Sequence, residues 1–231
     1  MISGPKRNET ETRNVIADIV FVIDSSSTVP REDYKKEKEF VKYLARYLNV
    51  SPRNSRAALV TYGNRAAEVV GFDINRPLSN FEAAVDRAPF VSGDRRIDRS
   101  LDKTSQIMAD ARPTATKIVV LLTSGKQASA FGSKTPGEAA IPLQKGGVYS
   151  YVVAISQEPD ISELRPVVQE PSHIFRMASF NDLRTRWTTI GEIIVDTSSK
   201  YLDDHVSFIH SVSTMRCSVL GPTEKGLWLL G

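Results

Sequence analysis

Two stretches of this chain, Val15-Ile16-Ala17-Asp18-Ile19-Val20-Phe21-Val22-Ile23 and Ile118-Val119-Val120-Leu121-Leu122, are apolar and β-branched with almost no alternation. A strand with one wet face alternates polar and apolar side chains, so runs like these belong to strands covered on both faces, as in a parallel sheet flanked by helices. A third run, Val148-Tyr149-Ser150-Tyr151-Val152-Val153-Ala154-Ile155, repeats the pattern. Parallel neighbours need long crossovers, and the intervening segments supply them. Between Arg31 and Leu48, Phe40, Leu44, Tyr47 and Leu48 fall on one helical face, charged residues fill the first turns, and Pro30 precedes them. Residues 81–86, 97–111 and 138–144 read as further helices, 161–168 as a short one, and 173–177 as a last strand. A closing helix over 181–195 carries Leu183, Trp187, Ile190 and Ile194 on one face. Gly63-Asn64 sits between two strand-like segments, 57–62 and 66–72, and predicts a hairpin whose second member is an edge strand. The expected fold is therefore α/β: a mostly parallel sheet with one antiparallel edge strand and helices on both faces. Residues 1–14 are polar and read as an arm, the domain spans 15–197, and 198–231 read as a tail with no assignable period.

Composition narrows the function classes. Of 231 residues, 30 are Lys or Arg and 27 Asp or Glu, and the signs alternate along the chain without a basic block, which argues against nucleic acid as a partner. No apolar window reaches the roughly 18 residues that a bilayer-spanning helix needs, so membrane insertion is not expected. Cys217 is the single cysteine, so neither an internal disulfide nor a cysteine-based zinc site can form. Met1 to Asn8 lack the apolar core of a secretory signal, so the chain is expected either to stay inside the cell or to be a piece of a longer one.

In a parallel sheet, ligands sit beyond the carboxyl ends of the strands. Two loops there are polar: Asp24-Ser25-Ser26-Ser27-Thr28 and Thr123-Ser124-Gly125. The first follows a D-x-S-x-[ST] pattern, and a carboxylate plus two hydroxyls offers hard oxygen donors to a small hard cation such as Mg²⁺. The same residue types also satisfy backbone donors in an ordinary strand-to-helix turn.

The opening V-x-x-D-I-V-F-V-I-D-S-S-S-T, the amphipathic helix, the hairpin with Tyr62-Gly63, the Gly93 to Leu101 segment and Ile118 to Gly125 together resemble the von Willebrand factor type A (VWA) domain, in particular its collagen VI and matrilin-like extracellular branch. The resemblance covers about residues 15–197. It implies a doubly wound, Rossmann-like sheet with a metal-ion-dependent adhesion site, whose Mg²⁺ or Mn²⁺ ion accepts a carboxylate from a protein ligand. By that resemblance Asp24, Ser26 and Thr28 match the first metal-site segment. Two positions depart from it: the family's threonine falls at about Arg95, next to Asp94, and its second aspartate is Ser124. The change shifts the local charge by roughly +2, and one unit charge at 4 Å is worth about 4 kcal/mol at an effective dielectric near 20, so metal binding is expected to be weak or lost. Asp94 is a candidate replacement carboxylate; alternatively Arg95 takes the cation's place and pairs with Asp24. Arg95, Arg96 and Arg99 are candidate contacts for an acidic partner, against the plainer reading of a solvated charged loop.

Enzymatic readings find little. No G-x-G-x-x-G follows a strand, Val120 stands where a phosphate-binding loop before Lys126 needs glycine, and Ser124 lacks the glycine flank of a nucleophile elbow. Asn8 and Asn49 begin glycosylation sequons, although Pro52 disfavours the second. The expected function is a non-catalytic adhesion or matrix interaction module with a degenerate metal site. It would be extracellular by resemblance, part of a longer chain, and would bind a protein ligand such as collagen. The alternatives are a structural matrix-assembly domain with no ligand at that face, and an intracellular VWA scaffold.

Overall fold

The computed structural model describes residues 15–73, 76–156 and 161–219, with side chains as far as Tyr201. The arm over 1–14, Asn8 and residues 220–231 lie outside these. The elements are β1 (Ala17–Asp24), α1 (Arg31–Tyr47), β2 (Arg56–Tyr62), β3 (Ala66–Val70), α2 (Leu78–Asp86), α3 (Ile97–Met108), β4 (Thr116–Thr123), α4 (Pro136–Lys145), β5 (Tyr149–Ile155), β6 (Ile174–Met177) and α5 (Leu183–Val219). They form one sheet of order β3-β2-β1-β4-β5-β6. Every pairing is parallel except β2 with β3, so the hairpin supplies the antiparallel edge.

Every residue of β1 and of β2 is buried. Successive side chains point to opposite faces, which divides the apolar runs between two cores. Ile19, Phe21, Ile23, Leu59, Val120 and Leu122 pack beneath α1, α2 and α5. Val20, Val22, Ala58, Val60, Val119 and Leu121 pack beneath α3 and α4. Helix α1 buries Tyr34, Glu37, Phe40, Val41, Leu44 and Ala45, a stripe at helical spacing, with Glu37 the one charged member. Helix α4 starts on a capping box in which Glu138 N donates to Thr135 Oγ1 and Thr135 N to Glu138.

Two expectations need correction. Residues 161–168 hold no α-helix: Leu164 N and Arg165 N turn back on Ile161 O at 3.0 and 2.8 Å, and one 3₁₀ turn, Arg165–Val167, follows, because Pro166 has no amide with which to continue the ladder. The closing helix does not stop at 195: α5 runs unbroken for 37 residues, from Leu183 to Val219, into the segment for which the sequence showed no period. Its serines fit the helix by bonding back one turn, Ser198 Oγ to Ile194 O at 2.9 Å and Ser199 Oγ to Val195 O at 3.0 Å. Thr197 Oγ1 also accepts from Tyr151 OH at 2.6 Å, which ties the helix to the sheet. Helix α5 reaches 198 in 16 residues, about 24 Å, and continues for 21 more as far as Val219.

Candidate functional site

Three loops meet beyond the carboxyl end of β1, and their meshing sets the geometry. Ser25 turns inward: its Oγ donates to Tyr62 O at 2.9 Å and accepts from Thr61 Oγ1 at 2.8 Å and Val91 N at 3.1 Å. It thereby fixes the β1 loop against β2 and against the segment before α3. That segment is knitted back by Ser92 N to Ser25 O at 2.8 Å, Ser27 N to Gly93 O at 2.8 Å and Gly93 N to Ser27 Oγ at 2.7 Å. Ser92 and Gly93 both hold positive φ, +65° and +79°. The hairpin turn presses close enough that a Cβ on Gly63 would lie 2.0 Å from Ser92 O, so only glycine fits there.

This mesh presents Arg95 to Asp24. The Asp24 side chain is fully buried; its Oδ1 accepts from Ser26 N at 2.9 Å, and its Oδ2 accepts from Ser124 N and Ser124 Oγ, both at 3.1 Å. Arg95 Nε donates to the same Oδ2 at 2.8 Å. Its Nη2 donates to Ser124 Oγ at 2.6 Å and to Thr28 Oγ1, and its Nη1 to Lys126 O at 3.1 Å. Ser26 Oγ and Thr28 Oγ1 lie 3.1 Å apart. Asp24, Thr28 and Ser124 thus converge on one group, a guanidinium whose side chain is 11% exposed, with Ser26 Oγ beside Thr28. These residues do not fit a divalent cation. Such an ion would have to share Asp24, Thr28 and Ser124 with a fixed positive charge, and a single carboxylate would have to offset both.

The other candidates fall around this centre. Asp94 is exposed and makes no hydrogen bond to Asp24, Ser26, Thr28 or Ser124. Arg96 is buried in a bidentate pair with Asp98 at 2.9 and 2.6 Å. Burial alone would raise the Asp98 carboxyl, but the Arg96 bonds and the Arg99 amide hold it below the usual range. Arg99 is exposed, and its Nη1 donates to Asn64 O at 2.6 Å. Asn49 is half-buried just past the end of α1 with φ +50°.

Two contributors have no counterpart in the sequence reading. Glu37 reaches from α1 behind the site, and its Oε2 accepts Asp24 N at 2.8 Å. Burial, reinforced by the Asp24 carboxylate, pushes its carboxyl well above the usual range. Its place on the Phe40–Leu44 stripe was the available signal. Gln127 is the other: its Oε1 accepts Asp98 N at 2.6 Å and its Nε2 donates to Lys134 O at 2.7 Å, which binds the β4–α4 loop to α3. His173 is buried beside the Tyr151 ring, 4.6 Å between centroids, and burial lowers its pKa, so it is a neutral packing residue.

A family model, the von Willebrand factor type A domain, matches residues 18–186. The chain is 29% identical over 186 residues to human von Willebrand factor A domain-containing protein 2, an alignment that covers 77% of this chain and 23% of that protein. It is 26% identical to mouse Matrilin-2, covering 77% of this chain and 19% of that one. It thus spans less than a quarter of the length of either relative. Among solved structures, proximal thread matrix protein 1 from the mussel byssus, with its MIDAS motif occupied by zinc, superposes with a TM-score of 0.70 at 25% identity, covering 79% of this chain and 46% of that one. With the sheet order, the crossovers and the converging Asp24, Ser26, Thr28 and Ser124 in place, the chain belongs to the von Willebrand factor type A domain family.

Proposed function

We propose that this domain is a non-catalytic protein-interaction module of an extracellular matrix chain, and that its upper face works without a metal ion. The carrying observation is the Arg95 guanidinium, which donates to Asp24, Thr28 and Ser124 together. It supplies the positive charge that holds the three loops in register, so Mg²⁺ or Mn²⁺ is not needed to assemble the face. The matches to a matrilin and to a thread matrix protein support a setting among matrix proteins, within a longer chain. The partner is a protein, with collagen the first to test.

The test has two arms. Calorimetry of the native chain with Mg²⁺ and Mn²⁺ gives no binding heat, and capture on an immobilised matrix protein such as collagen is unchanged by EDTA. Metal binding that disappears in Asp24→Ala, or capture lost in EDTA, overturns the metal-free reading.

A second reading, a structural domain whose contacts lie away from this face, is favoured by the internal use of the arginines. Arg95 and Arg96 both spend their guanidinium groups on carboxylates of the same chain. An acidic ligand then meets Arg99 as the exposed member of the three.

A further inference from the structure

Among the described residues three large hydrophobic side chains are exposed: Ile16 at 41%, Ile141 at 43% and Phe131 at 109%. Phe131 is alone in standing wholly in solvent. Its loop is nevertheless pinned. Gln127 Nε2 closes it onto Lys134 O, Gln127 N donates to Glu163 Oε2 at 3.0 Å, and Ser133 N and Oγ donate to Ala130 O at 3.1 and 2.7 Å. Lys134 pairs with Asp102 on α3 at 2.7 Å. The ring is thus carried on an ordered turn, and a side chain whose backbone is already fixed loses less entropy when it docks.

On the other side of the sheet, between α1 and the start of α5, lies an open groove of about 570 Å³. Phe40, Tyr43, Phe180 and Leu183 line it together with Asn181 and five charged residues, four from the first turns of α1 and Arg184 of α5. Tyr43 is held by stacking on Trp187, 5.7 Å between centroids at 15°. Three of its four apolar residues are aromatic and offer a phenyl ring edge-on or offset contacts, and the charged residues around them form a rim.

The groove cannot be filled from its own molecule by either candidate. Phe131 is tied to α3, on the opposite face of the sheet. The apolar Trp228-Leu229-Leu230 stretch begins after α5, which carries the chain about 54 Å from Leu183 to Val219, whereas the 12 residues from 220 to 231 span at most about 42 Å.

We propose that Phe131 of one copy inserts into the Tyr43–Phe180 groove of a second copy. Knob and groove are different surfaces, so each bound copy keeps one of each free, and the contact propagates as an open row. One ring in one groove buries far less than the about 1,200 Å² of a standard interface, so association is weak between single domains and gains strength where several are linked in one chain.

Sedimentation velocity of the full chain at rising concentration shows reversible growth beyond the dimer. Phe131→Ala and the groove-filling Asn181→Trp each stay monomeric, with association weakened about tenfold or more. Mixed one to one, they form dimers and nothing larger, because Asn181→Trp offers only a knob and Phe131→Ala only a groove. Circular dichroism of each variant confirms its fold. A native chain that remains monomeric throughout, a mixture that stays monomeric, or association that survives Phe131→Ala but is lost in Trp228→Ala overturns the proposal.

Discussion

Strand β1 carries a fully buried aspartate near each end, and both meet guanidinium groups, yet the two ends do different work. At the lower end Asp18 accepts from Arg56 Nε at 2.9 Å and from Arg112 N and Nε at 2.6 and 2.9 Å. Arg112 also donates to Ala17 O at 3.2 Å and Asn54 O at 2.9 Å. Two arginines and one carboxylate staple β1 to β2 and to the loop before β4. Asp24 at the upper end meets one guanidinium, from a loop, among the hydroxyls of Thr28 and Ser124. The lower cluster is a fastening with no spare oxygen. The upper one is an oxygen cage with a tethered cation inside, and removing that cation leaves a hydrophilic space that water or an ion can enter.

The comparison can be broken in a definite order. Asp18→Ala leaves two guanidinium groups beside an apolar core, and breaking a buried pair in this way costs about 3–5 kcal/mol, readable by urea unfolding. Arg95→Ala should cost less, about 2 kcal/mol, since it opens its site to solvent; an equal loss would mean that both ends are fastenings. Arg95→Thr combined with Ser124→Asp restores the second carboxylate and removes the competing charge. That variant should gain about 2.7 kcal/mol at a Mg²⁺ or Mn²⁺ concentration one hundred times its Kd, seen as a raised Tm that EDTA reverses, while the native chain shows no shift. Gly63→Ala drives a methyl into Ser92 O and should cost about 1–3 kcal/mol while leaving the Asp18 end intact.

The smallest signal is in pH. Burial raises the Asp18 carboxyl, but the bonds from Arg56 and Arg112 outweigh it, and the net pKa lies below 3.8. A depressed carboxylate contributes stability that is full above its unfolded value and lost as pH falls through its folded one. Stability measured across the region below about pH 4 should therefore fall less steeply in Asp18→Asn than in the native chain.

Much of this was legible in advance, for reasons that differ by residue. The apolar runs announced the buried strands because a strand covered on both faces has no use for alternation. The D-x-S-x-T loop and the basic residue at Arg95 set the charge balance of the upper site by residue identity alone. Asp18 was legible in principle: a lone carboxylate inside an apolar run needs a partner, but Arg56 and Arg112 lie 38 and 94 residues away, and no local pattern selects them. Residues 161–168 misled because Ile161, Leu164, Val167 and Val168 have helical spacing, while Pro166 stops the segment after a turn on Ile161 and one 3₁₀ turn. The serines after Asp196 misled in the other direction, since a hydroxyl that can end a helix can also bond back within one.

By itself the sequence determined the class of fold, the sheet with one antiparallel edge, and the inventory of the upper site, because these follow from periodicity and from which atoms carry charge. Tertiary structure decided how that inventory is used. Hydrogen-bond geometry among three separate loops directs Arg95 to Asp24 and leaves Asp94 in solvent, and long-range packing turns Glu37 inward behind Asp24 and leaves Phe131 outside. Such choices depend on distances between residues far apart in the chain, which local pattern does not encode.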